Sequence, residues 1–198
     1  MRLDGCQSVE LVGVRRGGQP VELSISNMVS SRTVRLSRVE AAGLNVSVES
    51  NVTSVTIDAC RDVGYITYEQ QRGNVTGTVS VTGNSHATAN GMRIRVGLGA
   101  DVGVTAVNLY SNVNASVQEV VGAGARSYLR DLTIQYMLTG GVGRVRGVGV
   151  ISGTVTLAAL NMSVVEFGDG VTDVNRLVVQ GVHGMGIVGR SEARLGRL

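Results

Sequence analysis

The chain has 198 residues, 43% of them hydrophobic, and a formal net charge of +3, so it can bury a core without needing disulfides or a metal. Aromatic residues make up only 3% and Trp is absent, which leaves aliphatic side chains to fill that core and excludes the interleaved basic and aromatic residues of a nucleic-acid surface. All 18 basic residues are Arg, scattered in small groups such as Arg15-Arg16, Arg93/Arg95 and Arg144/Arg146, so the charge points to no acidic partner.

Val (36 residues) and Gly (28) dominate the composition. Val is stiff at χ1 and suits a pleated strand, and Gly supplies the positive φ of tight turns, so the pair implies many short strands joined by many turns.

At the N-terminus, Met1 to Gly5 shows no charged-then-apolar leader, and residues 1–20 read as a lead-in. From residue 21 two interleaved series of alternating segments begin. One contains Val34-Arg35-Leu36-Ser37, Val55-Thr56-Ile57-Asp58, Val79-Ser80-Val81-Thr82, Val104-Thr105-Ala106-Val107, Leu132-Thr133-Ile134-Gln135, Val155-Thr156-Leu157-Ala158 and Leu177-Val178-Val179-Gln180. Their first residues are 21, 24, 25, 28, 23 and 22 positions apart. Between them lie segments starting at Val21, Leu44, Tyr65, Met92, Ser116, Val145 and Val164. Apolar groups at i and i+2 with polar groups between them are the pattern of a strand with one buried face.

Helical patterning is confined to Ala41 to Leu44 and to the tail from Ser191. The stretch Gly147 to Val165 runs 19 residues without a charge, but its period-two alternation and its Ser, Thr and Gly residues favour strands over a membrane helix.

A coil of this length holding two or three short strands is what a parallel β-helix requires, because each coil must return to stack on its start. The expected fold is therefore all-β: a solenoid of roughly seven coils over residues 21–189, followed by a polar tail over 190–198. The rival is a β-sandwich, which also joins short strands by frequent turns. Few hairpin dipeptides support it: Asn90-Gly91 is the one Asn-Gly, and Asp-Gly occurs at Asp4-Gly5 and Asp169-Gly170. Neither end has the look of a cap, so the chain reads as a piece of something longer.

Segments such as Leu132-Thr133-Ile134-Gln135 and Val55-Thr56-Ile57-Asp58 resemble the coils of the pectin-lyase-like parallel β-helix proteins over about residues 21 to 180, which implies a right-handed solenoid. The Val/Gly/Arg-rich, Lys-free composition with its sequons also resembles the membrane-associated surface proteins of kinetoplastid protists, including the dispersed gene family.

Five Asn-x-Ser/Thr sequons, at Asn45, Asn51, Asn74, Asn114 and Asn161, exceed the roughly two expected by chance and suit a secreted, glycosylated surface. Asn, Ser and Thr also fill turns and outward strand positions for purely structural reasons. Polysaccharide-cleaving members of the β-helix class use clustered carboxylates. Asp58 with Asp62 is the one pair here that merits the comparison, alongside the more isolated Asp101 and Asp131 and the bases Arg61, Arg93, Arg95 and Arg130. A strand end followed by a solvated turn accounts for Asp58 and Asp62 equally well.

His86 and His183 stand apart from any Ser or Cys that would make either a catalytic base. Gly168-Asp169-Gly170 lacks the spacing of a Ca²⁺ loop, and Cys6 and Cys60 lack metal or redox spacing and read as unpaired thiols. No cofactor and no metal are expected.

The functional expectation is a non-catalytic, extracellular or cell-surface segment with a structural or adhesive role, whose ligand is a glycan or a cell-surface protein. Membrane contact would come only through an anchor outside this chain. The alternative is a carbohydrate-active β-helix enzyme of the lyase or hydrolase kind.

Overall fold

A computed structural model describes residues 1–29, 32–88, 91–135, 141–158, 164–168, 173–180, 186–189 and 194–195. The described residues are mostly strand and contain no helix, and the strands stack as a parallel β-solenoid of about seven turns. Each turn contributes one strand to each of two faces.

The first face begins β1 (Arg2–Asp4), β3 (Val21–Ser26), β5 (Gly43–Glu49), β7 (Tyr65–Arg72) and β9 (Met92–Leu98). The second begins β2 (Ser8–Val12), β4 (Thr33–Ser37), β6 (Ser54–Asp58), β8 (Val75–Thr82) and β10 (Gly103–Tyr110). The long strands β11 (Ala115–Gln135) and β12 (Val142–Ala158) run through the bend and serve both faces. Beyond them, β13 (Val164–Gly168) and β15 (Gly186–Gly189) continue the first face, and β14 (Asp173–Gln180) and β16 (Arg194–Leu195) the second. Single bridges Arg15↔Glu40, Glu40↔Arg61 and Ser85↔Val113 mark a third, narrow side.

Every strand pair is parallel, which rules out the antiparallel sandwich. Pairing already begins at Arg2↔Ser24, so Arg2–Asp4 and Ser8–Val12, within the expected lead-in, belong to the ladder. Ala41 to Leu44 forms a turn and the start of β5 instead of a helix, because Leu44 and Val46 are needed on the buried face.

Period-two patterning drives the packing. In β6, Val55 and Ile57 are fully buried while Ser54, Thr56 and Asp58 are half-buried on the outside. Like then stacks on like: Leu36, Ile57, Val81, Leu109, Ile134 and Leu157 form one continuous inward column of the second face. Each such side chain contributes about 1.5–3 kcal/mol on burial. On the first face, Leu23, Val46, Tyr68, Val96, Val120, Val145 and Phe167 form the corresponding column.

Polar side chains that enter this core are mostly hydrogen-bonded to one another or to the backbone, although among the described residues Gln118 Nε2 is buried without a partner. Tyr68 donates its hydroxyl to Gln70 Oε1, and Gln70 Nε2 donates to the carbonyls of Ser50 and Arg72, both at 2.7 Å. Where the chain leaves the second face, Cys60 N–H donates to Asn84 Oδ1 (3.0 Å) and Asn84 Nδ2 to the Ile57 carbonyl (3.1 Å). Asn112 Nδ2 donates to the Val81 carbonyl (2.8 Å) and to Gln118 Oε1 (3.1 Å). These turn amides pair the buried carbonyls and amides that the sheet ladders leave over.

Within Gly147 to Val165, the described residues fall in β12 and β13, and among described residues no helix is long and apolar enough to cross a membrane.

Candidate functional site

The strand ladders place outward side chains in columns, and these columns are where chemistry could be displayed. On the first face, Arg95, Glu119, Arg144 and Glu166 occupy neighbouring positions in register, one per turn. Neighbours in a sheet lie about 4.8 Å apart, so alternating charge favours the column. Glu119 lies 3.9 Å from Arg95 Nε and 3.1 Å from Arg146 Nη2, and Arg144 Nε lies 3.0 Å from Glu166. Arg95 reaches Glu69 as well, at 3.7 Å.

On the second face the matching column is Thr56, Ser80, Asn108, Thr133 and Thr156, which carries hydroxyls and an amide and no charge. The two faces therefore differ: one is charge-balanced and the other close to neutral in its middle turns.

The candidate carboxylates do not converge. Asp58 ends β6, where its Oδ2 accepts from Ser37 Oγ (3.1 Å) and its buried Oδ1 lies 3.9 Å from Arg35 Nε without a hydrogen bond. Asp62 lies on the exposed turn beyond Cys60, with φ of 55°, and no hydrogen bond joins it to Asp58. Asp101 pairs with Arg126 at 2.6 Å.

Asp131 accepts the Thr154 N–H (2.9 Å) and pairs with Arg130 (2.8 Å). The Thr154 N–H holds its carboxyl below the usual carboxylate range against the opposing effect of partial burial, and Arg130 adds to the lowering. A carboxylate held in that state is unsuited to donate a proton.

Arg93 stands exposed on the first face in register with Tyr65, and Arg61 makes the bridge with Glu40 on the third side. His86 turns its Nδ1 toward Thr88, 3.2 Å from that residue's N–H, and its ring lies against Gly91. Cys6 and Cys60 are both free. Burial pushes the Cys60 thiol up to about 11, which keeps it protonated and a poor nucleophile at neutral pH. Among the described residues no three His, Cys, Asp or Glu side chains gather where they could hold a metal ion.

The sequons occupy three kinds of position. Asn45 lies mid-strand on the first face, half-buried between Glu22 and Thr67, in a shallow trough of about 530 Å³. Asn51 and Asn74 are exposed at the bend between the two faces, in equivalent positions of adjacent turns, as the Val52↔Val75 bridge shows. Asn114 has φ of 63° and donates its Nδ2 to the His86 carbonyl at 2.8 Å. Asn161, His183 and Asp169-Gly170 lie outside the described residues.

Two arrangements escape a reading along the chain: the charge column through Glu119 and the buried Asn84–Asn112 pair. Their signal lies in the coil spacing, since Arg95, Glu119, Arg144 and Glu166 follow one another by 24, 25 and 22 positions.

No protein-family model matches the chain, and no curated protein or solved structure matches it either.

Proposed function

We propose that this protein is a non-catalytic extracellular or cell-surface β-solenoid with a structural or adhesive role. The observation that carries this reading is how the outward polar groups are used. Glu119, Glu166, Asp101 and Asp131 are tied to arginines one turn away or next in sequence, and Asp58 accepts from Ser37. Groups bound in this way brace a long, regular surface instead of activating a substrate. The exposed sequons at the bend suit a surface that passes through a secretory pathway.

Kinship with the pectin-lyase-like β-helices, or with the membrane-associated and dispersed-gene-family surface proteins of kinetoplastids, rests on segment pattern and composition. The partner it implies is a glycan or a cell-surface protein.

A carbohydrate-active enzyme is the competing reading, and the trough on the first face, walled by Arg2, Glu22 and Glu69, is the place for such a substrate. The deciding experiment offers the full chain polygalacturonate and other acidic and neutral polysaccharides, and follows new reducing ends and unsaturated products. The adhesive reading expects no turnover, and beads coated with native chain should bind cell-surface glycoproteins or glycans better than beads coated with unfolded chain. Turnover that disappears in Asp58→Ala or Asp62→Ala would overturn it.

A further inference from the structure

The bend between the two faces carries a column in which Asn51, Asn74, Gly103 and Tyr128 occupy equivalent positions of successive turns. Asn51 Oδ1 accepts the N–H of Asn74 at 2.7 Å, and Asn74 Oδ1 accepts the N–H of Gly103 at 2.7 Å. The column thus uses the oxygen of each carboxamide. Among the described residues no hydrogen bond ties up Nδ2 of either Asn51 or Asn74, whereas Asn114 spends its Nδ2 on the His86 carbonyl.

Gly103 carries no side chain, and the position one would take is bordered on one side by Asn74 Oδ1, 3.3 Å from an ideal Cβ, and on the other by Tyr128 Cδ1, at 3.8 Å. Tyr128 is 41% exposed, and its hydroxyl is anchored to Ser152 Oγ at 2.6 Å. The result is a small shelf: an exposed acceptor amide, a bare backbone step and a fixed aromatic ring. Two turns separate Asn74 from Tyr128, or about 10 Å at the sheet spacing, which an Asn side chain and one pyranose can bridge.

We propose that Asn74 is an N-glycan attachment site of this protein, with the first sugar lying over Gly103 against the ring of Tyr128. The inference rests on the secretory reading above. In the transfer, Asn74 Nδ2 bonds to C1 of an oligosaccharide carried on a lipid pyrophosphate as the C1–O bond breaks. The nitrogen gives up one proton and the lipid pyrophosphate leaves. Oδ1 is untouched, so the bond from Gly103 survives the modification.

Asn51 has the same free nitrogen, but its neighbour on the next turn is Asn74 instead of a glycine. With adjacent turns about 4.8 Å apart, a glycan on Asn74 excludes one on Asn51. Asn45 lacks the shelf, being half-buried on the sheet between Glu22 and Thr67.

The test expresses the full chain behind a cleavable secretion signal in cells that N-glycosylate, and maps each sequon by glycopeptide and intact mass. Asn74 should be occupied in most molecules, and no molecule should carry glycans on both Asn51 and Asn74. Under native conditions a glycan amidase should release the Asn74 glycan about fivefold faster from Tyr128→Ala than from wild type, while Tyr128→Phe, which keeps the ring but loses its tie to Ser152, should fall between the two. An empty Asn74, double occupancy with Asn51, or release from Tyr128→Ala at the wild-type rate would each overturn the proposal. Protein from its own source serves as the separate control: if it lacks glycan while the secreted chain behaves as described, the secretory reading falls and the shelf stands.

Discussion

Asn84 and Asn112 occupy equivalent buried positions on adjacent turns, and Asn84 donates both its backbone N–H (3.2 Å) and its Nδ2 (3.1 Å) to the single oxygen Oδ1 of Asn112. With Cys60 N–H below and Gln118 beyond, they form a polar thread along one corner of an aliphatic core. In such surroundings a donor left without a partner keeps its full desolvation cost.

Asn112→Ala should therefore lower stability by about 2–4 kcal/mol, because it strips partners from Asn84, from the Val81 carbonyl and from Gln118 together. Asn51→Ala also removes one acceptor, but on the exposed bend where water replaces it, and should cost about 1 kcal/mol or less. Urea midpoints of the two variants would compare them directly, and equal losses would contradict the polar thread.

Gly147 and Gly124 differ in what a methyl group would meet. At Gly147 φ is +66° and an added Cβ would sit 2.1 Å from the Gly122 carbonyl oxygen, whereas at Gly124 no heavy atom lies within 4 Å. Gly147→Ala should cost about 3 kcal/mol or more, through strain and displacement of the neighbouring turn. Gly124→Ala should be close to neutral. Thermal melts of the two variants would check the contrast.

Cys60 makes stability depend on alkaline pH. Its thiol has an ordinary value near 9 and is pushed up to about 11 by burial in the fold. Between those values the unfolded chain has released a proton that the folded chain keeps, so the contribution is whole below about pH 9 and is lost as pH rises through 11. Burial raises the Tyr68 hydroxyl as well, from an ordinary value of 10, and extends the decline upward. Cys60→Ala should flatten the profile between pH 9 and 10, measured as urea midpoints under reducing conditions, and leave the steeper fall above it.

Glu119 joins two arginines on different turns while its side chain remains only 15% exposed. Glu119→Gln should cost about 0.5–1 kcal/mol at low salt. The gap from wild type should narrow as sodium chloride screens the column, and a difference insensitive to salt would show that packing is responsible instead.

Alternation along the chain was enough to identify most of the strands between residues 21 and 180, though not β1, β2 or β16 at the ends. Val55-Thr56-Ile57-Asp58 and Leu132-Thr133-Ile134-Gln135 lie on the second face, and Leu44-Asn45-Val46 on the first, with their apolar residues buried. The preference for a β-branched aliphatic interior over aromatic packing was equally plain, because composition offered nothing else to fill it.

Lateral neighbours were less legible. Val79 pairs with Val107 and not with Val104, because Val104 pairs with Val75 and a bulge follows before Ala106. On the first face Leu44 meets Ile66, one residue beyond the expected anchor Tyr65, which instead packs its ring over Gly43.

A stack of short, one-sided strands is legible in the chain alone, because a strand's two faces are written in every second residue. Which side chains meet follows from the folded coil: Asn84 with Asn112, Arg95 with Glu119, and Asn74 with the step at Gly103. Those meetings depend on the length of each turn and on where a bulge adds a residue. Turn lengths and bulges are settled by closure of the whole coil, not by any local pattern.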